Sequence, residues 1–337
     1  MISNPTPQRQ LRGHHPGRPA RRVLNSAEHH AWLTGHLTDR DRWLCRMLFE
    51  HKVLTSTQII DITFPSRRAA NLRLRNLYQW GVLHRFQPHR YPGSHPMHYV
   101  LDTAGAVALA REAGLGMAEL GYDREREVGR AYSLQLAHNT GCNSLFTTLI
   151  RHGRRSEAAG RLTAWWSAFR CARHWGDIVK PDGYGRWHQN GRTVEWFTEY
   201  DFGTEQLSRL AGKLTRYERL AKTTGVTTPV LMWFPSAQRE ANAQSVLAEA
   251  LRELDDPGSV PVATSNAQAA SDPLDMTPPR WLSVDRARDK RTALADIHTL
   301  WPDLPEPAHP AGGNAPTLQR AELAPPCPMP PRSAGAV

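Results

Sequence analysis

Three carboxylates carry the chemistry that this sequence suggests. Asp182 sits in a Pro-Asp pair, and Glu199 and Asp201 follow in the stretch TEYDFGTE. Read as a strand over RTVEWFTEYD, residues 192–201 alternate faces, which puts Glu195, Phe197, Glu199 and Asp201 on one side and Val194, Trp196, Thr198 and Tyr200 on the other. The preceding VKPDGYGRW reads as a turn and its hairpin partner, which brings Asp182 toward the same strand end. Carboxylates gathered at one point repel unless a cation bridges them, and oxygen clusters of this kind select Mg²⁺ or Mn²⁺. Such an ion can polarise a phosphodiester and acidify a bound water. The plainer alternative is a solvated strand end, its acids paired with arginines such as Arg186 or Arg192.

A second group of residues could bind a polyanion. In RRAANLRLRNLYQWG, Ser66 is a helix cap, and Ala70, Leu74, Leu77 and Gly81 step by four, three and four as an inward stripe. Arg67, Asn71 and Arg75, with Arg68 beside them, then form an exposed basic row near the helix start. The same helix could be a packing element with an ordinary solvated face. The runs VLHRFQ and MHYVL that follow form a hairpin whose connecting loop carries Arg90. Three helices and such a hairpin are the pattern of a winged helix-turn-helix, whose third helix reaches the DNA major groove.

Composition bounds the rest. The chain has 337 residues and a net charge of +10, and its 42 basic residues comprise 37 arginines and five lysines. Arginine suits phosphate forks and guanine edges. Four scattered cysteines with no C-x-x-C pair argue against a zinc site or a disulfide framework. Glycine-rich phosphate loops of the Walker type are absent, which excludes a nucleotide-driven motor of that kind. No apolar run approaches membrane-spanning length, so a cytoplasmic protein without membrane partners is expected.

The elements arrange these residues as a multi-domain α/β chain. A flexible basic arm (1–37) precedes the winged helix-turn-helix (38–116) and a polar linker (117–129). An α/β domain with the order helix, three strands, helix, strand (130–284) follows, and then a mostly disordered Pro/Ala-rich tail (285–337).

Pro181-Asp182 followed by Glu199-x-Asp201, on that order of elements, resembles the PD-(D/E)xK nuclease superfamily and its restriction-endonuclease-like fold. The resemblance implies that Asp182 and Glu199 are metal ligands. Asp201 stands where lysine is usual, and Lys213 on the next helix could supply the missing ammonium. The stretches LTDRDRWLCRMLFEHKVLTSTQI, FPSRRAANLRLRNLYQWGVLHRF, KPDGYG, TEYDFGTEQLSRLAGKLTRYERL and PVLMWFPS together resemble the replication-relaxation family of actinobacterial chromosomes, plasmids and integrative elements. That resemblance implies a protein binding double-stranded DNA in replication or relaxation, alone, as a homodimer or with replication and transfer proteins. Two readings stay open. One is a metal-dependent nickase or endonuclease using Asp182, Glu199, Asp201 and Lys213. The other is a non-catalytic accessory factor or transcriptional regulator.

Overall fold

A computed structural model of the chain describes residues 26–88, 95–156, 160–284, 290–304, 306–307 and 323–331. They divide into two compact units, one of residues 26–143 with 323–331 and the other of residues 144–307.

The first unit is built on helices with well-made starts. Ser26 caps α1 (Ala27–His36), so the last third of the segment read as a flexible arm is a helix, held in place by the burial of Leu33. Thr38 and Asp41 cap α2 (Asp39–His51) reciprocally, each side chain bonding the other's backbone N–H. After β1 (Leu54–Thr55), the same device recurs as Thr55 and Gln58 at the start of α3 (Ser56–Thr63). Ser66 caps α4 (Arg67–Gln79). Gly81, at φ +70°, takes the left-handed turn that ends this helix. Two antiparallel strands follow, β2 (Leu83–Phe86) and β3 (His98–Leu101), with β1 on the far edge of β3. Met47, Leu48, Ile59, Ile62, Ala70, Leu74, Leu77 and Val100 are fully buried, so the inward stripe of α4 packs as its spacing predicts. The helix α5 (Thr103–Glu112) follows, capped by Asp102. Residues 117–129, read as a linker, form two short helices, α6 (Met117–Leu120) and α7 (Arg124–Gly129). The boundary between the units falls inside the 20-residue α8 (Leu136–Arg155).

The second unit is a six-stranded mixed sheet. β4 (Arg161–Ser167), β5 (Gly183–Gln189) and β6 (Arg192–Tyr200) are antiparallel neighbours. Between β4 and β5 lies α9 (Ala168–Trp175), where the sequence reads as continued strand. Ser167 accepts a hydrogen bond from the Arg170 N–H and turns the chain into a helix there. Parallel pairing needs a crossover connection. The helices α10 (Leu207–Ala211) and α11 (Lys213–Thr224) provide it between β6 and β7 (Val230–Phe234). The helix α12 (Ala237–Arg252) provides it between β7 and the parallel β8 (Val262–Asn266), and β9 (Leu282–Ser283) closes the edge.

Each face of this sheet has its own cover. Trp165 and Trp196 stack on Phe146 of α8 at 5.1 and 6.1 Å. Opposite them, Tyr184, Phe197, Met232 and Phe234 pack with Leu214, Tyr217 and Leu247 of the crossover helices. Residues 290–304 also depart from the expected disordered tail. Leu294, Ile297 and Leu300 recur every third residue, the period of a 3₁₀ helix, and all three are buried along one (Leu294–Leu300).

Candidate functional site

The hairpin register places Asp182 beside the end of β6. Gly183 pairs with Thr198, the Asp182 N–H donates to the Thr198 carbonyl, and Asp182 Oδ2 accepts from the Tyr200 N–H at 2.9 Å. Glu199, one residue earlier on β6, is 1% exposed. Both of its oxygens have donors: Lys213 Nζ lies 2.6 Å from Oε2, and Tyr217 Oη lies 2.6 Å from Oε1. Lys213 and Tyr217 are four residues apart on α11, so one helical turn presents both to the same carboxylate.

The electrostatics follow from burial. Loss of solvent pushes the Glu199 carboxyl up to about 7, against the pull of Lys213, and the neighbouring Asp182 charge adds to the rise. Burial works against the Lys213 ammonium, but Glu199 and Asp182 together outweigh it and raise its pKa. Burial also raises the Tyr217 phenol well above its ordinary range, so it stays a hydrogen-bond donor. The cluster is therefore a buried carboxyl group holding one ammonium, with the Asp182 charge nearby.

Asp201 is engaged elsewhere. Its Oδ1 accepts from the Gly203 N–H at 2.9 Å, and its Oδ2 accepts from Arg239 Nε at 2.7 Å. Arg239 lies in the first turn of α12 and also donates to the Glu205 carbonyl. Among the described residues, no group of three or more His, Cys, Asp or Glu side chains is placed to share a metal ion. Asp182, Glu199 and Lys213 come together; Asp201 pairs with an arginine. Sequence reasoning missed Tyr217 and Arg239. The four-residue spacing from Lys213 was a signal for Tyr217, whereas nothing local marks Arg239, 38 positions from its partner.

On α4, Arg67, Arg68, Asn71 and Arg75 are all exposed, and the three arginines form no ion pair among the described residues. Arg67 and Asn71 line a cleft of about 360 Å³ with Ser56, Thr57, Gln87 and His95. Arg73, on the flank of the same helix, has a structural role. It donates to both Asp41 oxygens and to the His36 carbonyl, and its guanidinium lies over Trp80 at 4.9 Å. Arg90 lies outside the described residues.

A mixed α/β chain with an exposed cationic helix and a buried carboxylate–lysine cluster is the class these features define. The replication-relaxation family matches residues 45–236, more than half of the length, and the chain belongs to that family. The family description ties it to replication and relaxation. No curated protein and no solved structure matches the chain. Among the described residues, no helix is long and apolar enough to cross a membrane.

Proposed function

We propose that the protein binds double-stranded DNA through α4 in the replication and relaxation of a plasmid or mobile element. The observation that carries this reading is the exposed group Arg67, Arg68, Asn71 and Arg75, whose arginines have no internal ion-pair partners among the described residues. A cationic helix face with its inner stripe buried, followed by an antiparallel hairpin, suits the docking of a winged helix-turn-helix in the major groove. The net charge of +10 and the family membership support the same partner. The test is duplex affinity measured across salt concentrations. Each of Arg67→Ala, Arg68→Ala and Arg75→Ala should weaken binding and lower the log–log salt slope by about 1 for each phosphate left without its arginine. Unchanged affinity and slope in all three would remove α4 from the interface.

A second reading, cleavage of the DNA backbone as a nickase or endonuclease, is favoured by one arrangement. Lys213 reaches Glu199 beside Asp182, a grouping that resembles the trio of the PD-(D/E)xK pattern with its lysine moved to α11. The helix α8, three antiparallel strands with α9 inserted after the first, the crossover helices α10 and α11 and a parallel strand also run in the order of the restriction-endonuclease-like core. This reading calls for Mg²⁺ or Mn²⁺, whose oxygen donors would have to be Asp182 and Glu199. Both Glu199 oxygens already accept from Lys213 and Tyr217, so the cluster as it stands holds an ammonium and does not fit a divalent ion. What these residues do themselves is keep one cation beside two carboxyl groups at a strand end. Incubation with supercoiled plasmid and either metal ion decides the matter. Relaxed circles from wild type but not from Asp182→Ala or Glu199→Ala support cleavage. No nicking, or equal nicking by all three, leaves a non-catalytic accessory factor or regulator.

A further inference from the structure

The helix α4 advances about 100° per residue, so its faces can be assigned one by one. Ala70, Leu74 and Leu77 mark the buried side. Arg67 and Asn71 turn to the cleft that the hairpin residues Gln87 and His95 help to line. Arg73 turns to Asp41. The direction opposite the core belongs to Arg68, Leu72, Arg75 and Gln79, spaced by four, three and four. Leu72 is 64% exposed, and among the large hydrophobic side chains of the described residues only Tyr132 and Leu134 are more open.

Single exposed leucines are common on protein surfaces and by themselves carry no meaning. This one occupies the middle of the outermost row of a cationic helix, with Arg68 one turn before it and Arg75 one turn after. On duplex DNA, flanking guanidiniums suit phosphates and guanine edges, whereas a leucine can make neither hydrogen bonds nor ion pairs. The one apolar group that the major groove presents is the methyl at C5 of a pyrimidine.

We propose that Leu72 is a base-reading residue that recognises a C5-methyl pyrimidine in the major groove, between contacts made by Arg68 and Arg75. This rests on the DNA-binding reading of α4 and adds its sequence preference. Thymine and 5-methylcytosine both carry that methyl group. Leu72 closes over it without any hydrogen bond, so the preference is for the methyl alone.

The test starts from a duplex selected from a random pool by the full-length wild-type chain. Each thymine is then replaced singly by uracil, and each cytosine singly by 5-methylcytosine. Affinities are measured by fluorescence anisotropy for wild type, Leu72→Ala and Arg68→Ala. At one position, uracil should weaken wild-type binding about fourfold, the transfer of one methyl group out of an apolar environment. If the group read is 5-methylcytosine, its introduction strengthens binding by a similar factor. In Leu72→Ala the methyl effect disappears at that position, whereas Arg68→Ala binds more weakly to every duplex and retains it. Wild type indifferent to every methyl group, or Leu72→Ala retaining the full effect, overturns the inference and leaves DNA binding standing. Failure of wild type to bind any duplex overturns the DNA-binding reading and this inference together. Leu72→Ala is a surface change, and an unchanged thermal melting curve shows that the variant is folded and that the effect arises at the DNA.

Discussion

Replacing Lys213 by Met removes the ammonium that Glu199 holds at 2.6 Å while keeping most of the apolar stem. The size of the effect depends on pH in a way that the structure fixes. In the wild type, burial keeps the Glu199 proton on up to about 7, above the ordinary 4.5. Between those values the folded chain binds more protons than the unfolded one, so stability falls as pH rises, at about 1.4 kcal/mol per pH unit and roughly 3 kcal/mol in all. Above about 7, Lys213 lets the wild-type carboxyl ionise and that loss levels off. Without the ammonium nothing offsets burial except Tyr217, and the loss continues. Lys213→Met should therefore cost about 1 kcal/mol or less at pH 5, where Glu199 is neutral in both proteins. By pH 9 the deficit should reach about 3 kcal/mol. Denaturant unfolding followed by tryptophan fluorescence at pH 5, 6, 7, 8 and 9 reads the difference directly. Glu199→Gln should remove the slope between pH 5 and 7. Parallel stability curves for wild type and Lys213→Met, or a Glu199→Gln protein that retains the slope, would refute the assignment of Glu199 as a buried carboxyl charged only with its lysine.

Two further outcomes follow from packing and pairing. Arg239→Ala leaves Asp201, 5% exposed, with the Gly203 N–H but no cation, and should cost about 3 kcal/mol in unfolding free energy; a loss under about 1 kcal/mol would mean that solvent already screens the pair. A Cβ at Gly185 would lie 2.3 Å from the Trp196 ring and 2.8 Å from Phe146. Gly185→Ala should therefore destabilise by about 1–3 kcal/mol or more, read as a lowered melting temperature. An unchanged melting temperature would show that the aromatic stack can shift.

Several elements of both units were legible because their signals are local. The Ser66 cap and the Ala70–Leu74–Leu77 stripe each act within a few residues, and each stands where its pattern puts it. Alternation along β6 assigned Glu199 to the face of Phe197, and both side chains meet Tyr217 there. The same local logic failed after Ser167, because a serine that can cap its own helix competes with the strand pattern that precedes it.

The partners of the acids were a different matter. By sequence, Asp182, Glu199 and Asp201 form one motif, and their spacing suggests one shared cation. The tertiary structure divides them. The crossover that parallel pairing imposes brings Lys213 and Tyr217 down onto Glu199, and the start of α12 brings Arg239 onto Asp201. A buried carboxylate needs a counter-charge close at hand, but sequence spacing says nothing about which distant helix will deliver it. The sequence by itself thus determined where charge collects on this chain. Only the packing of α11 and α12 against the sheet decided which charge neutralises which.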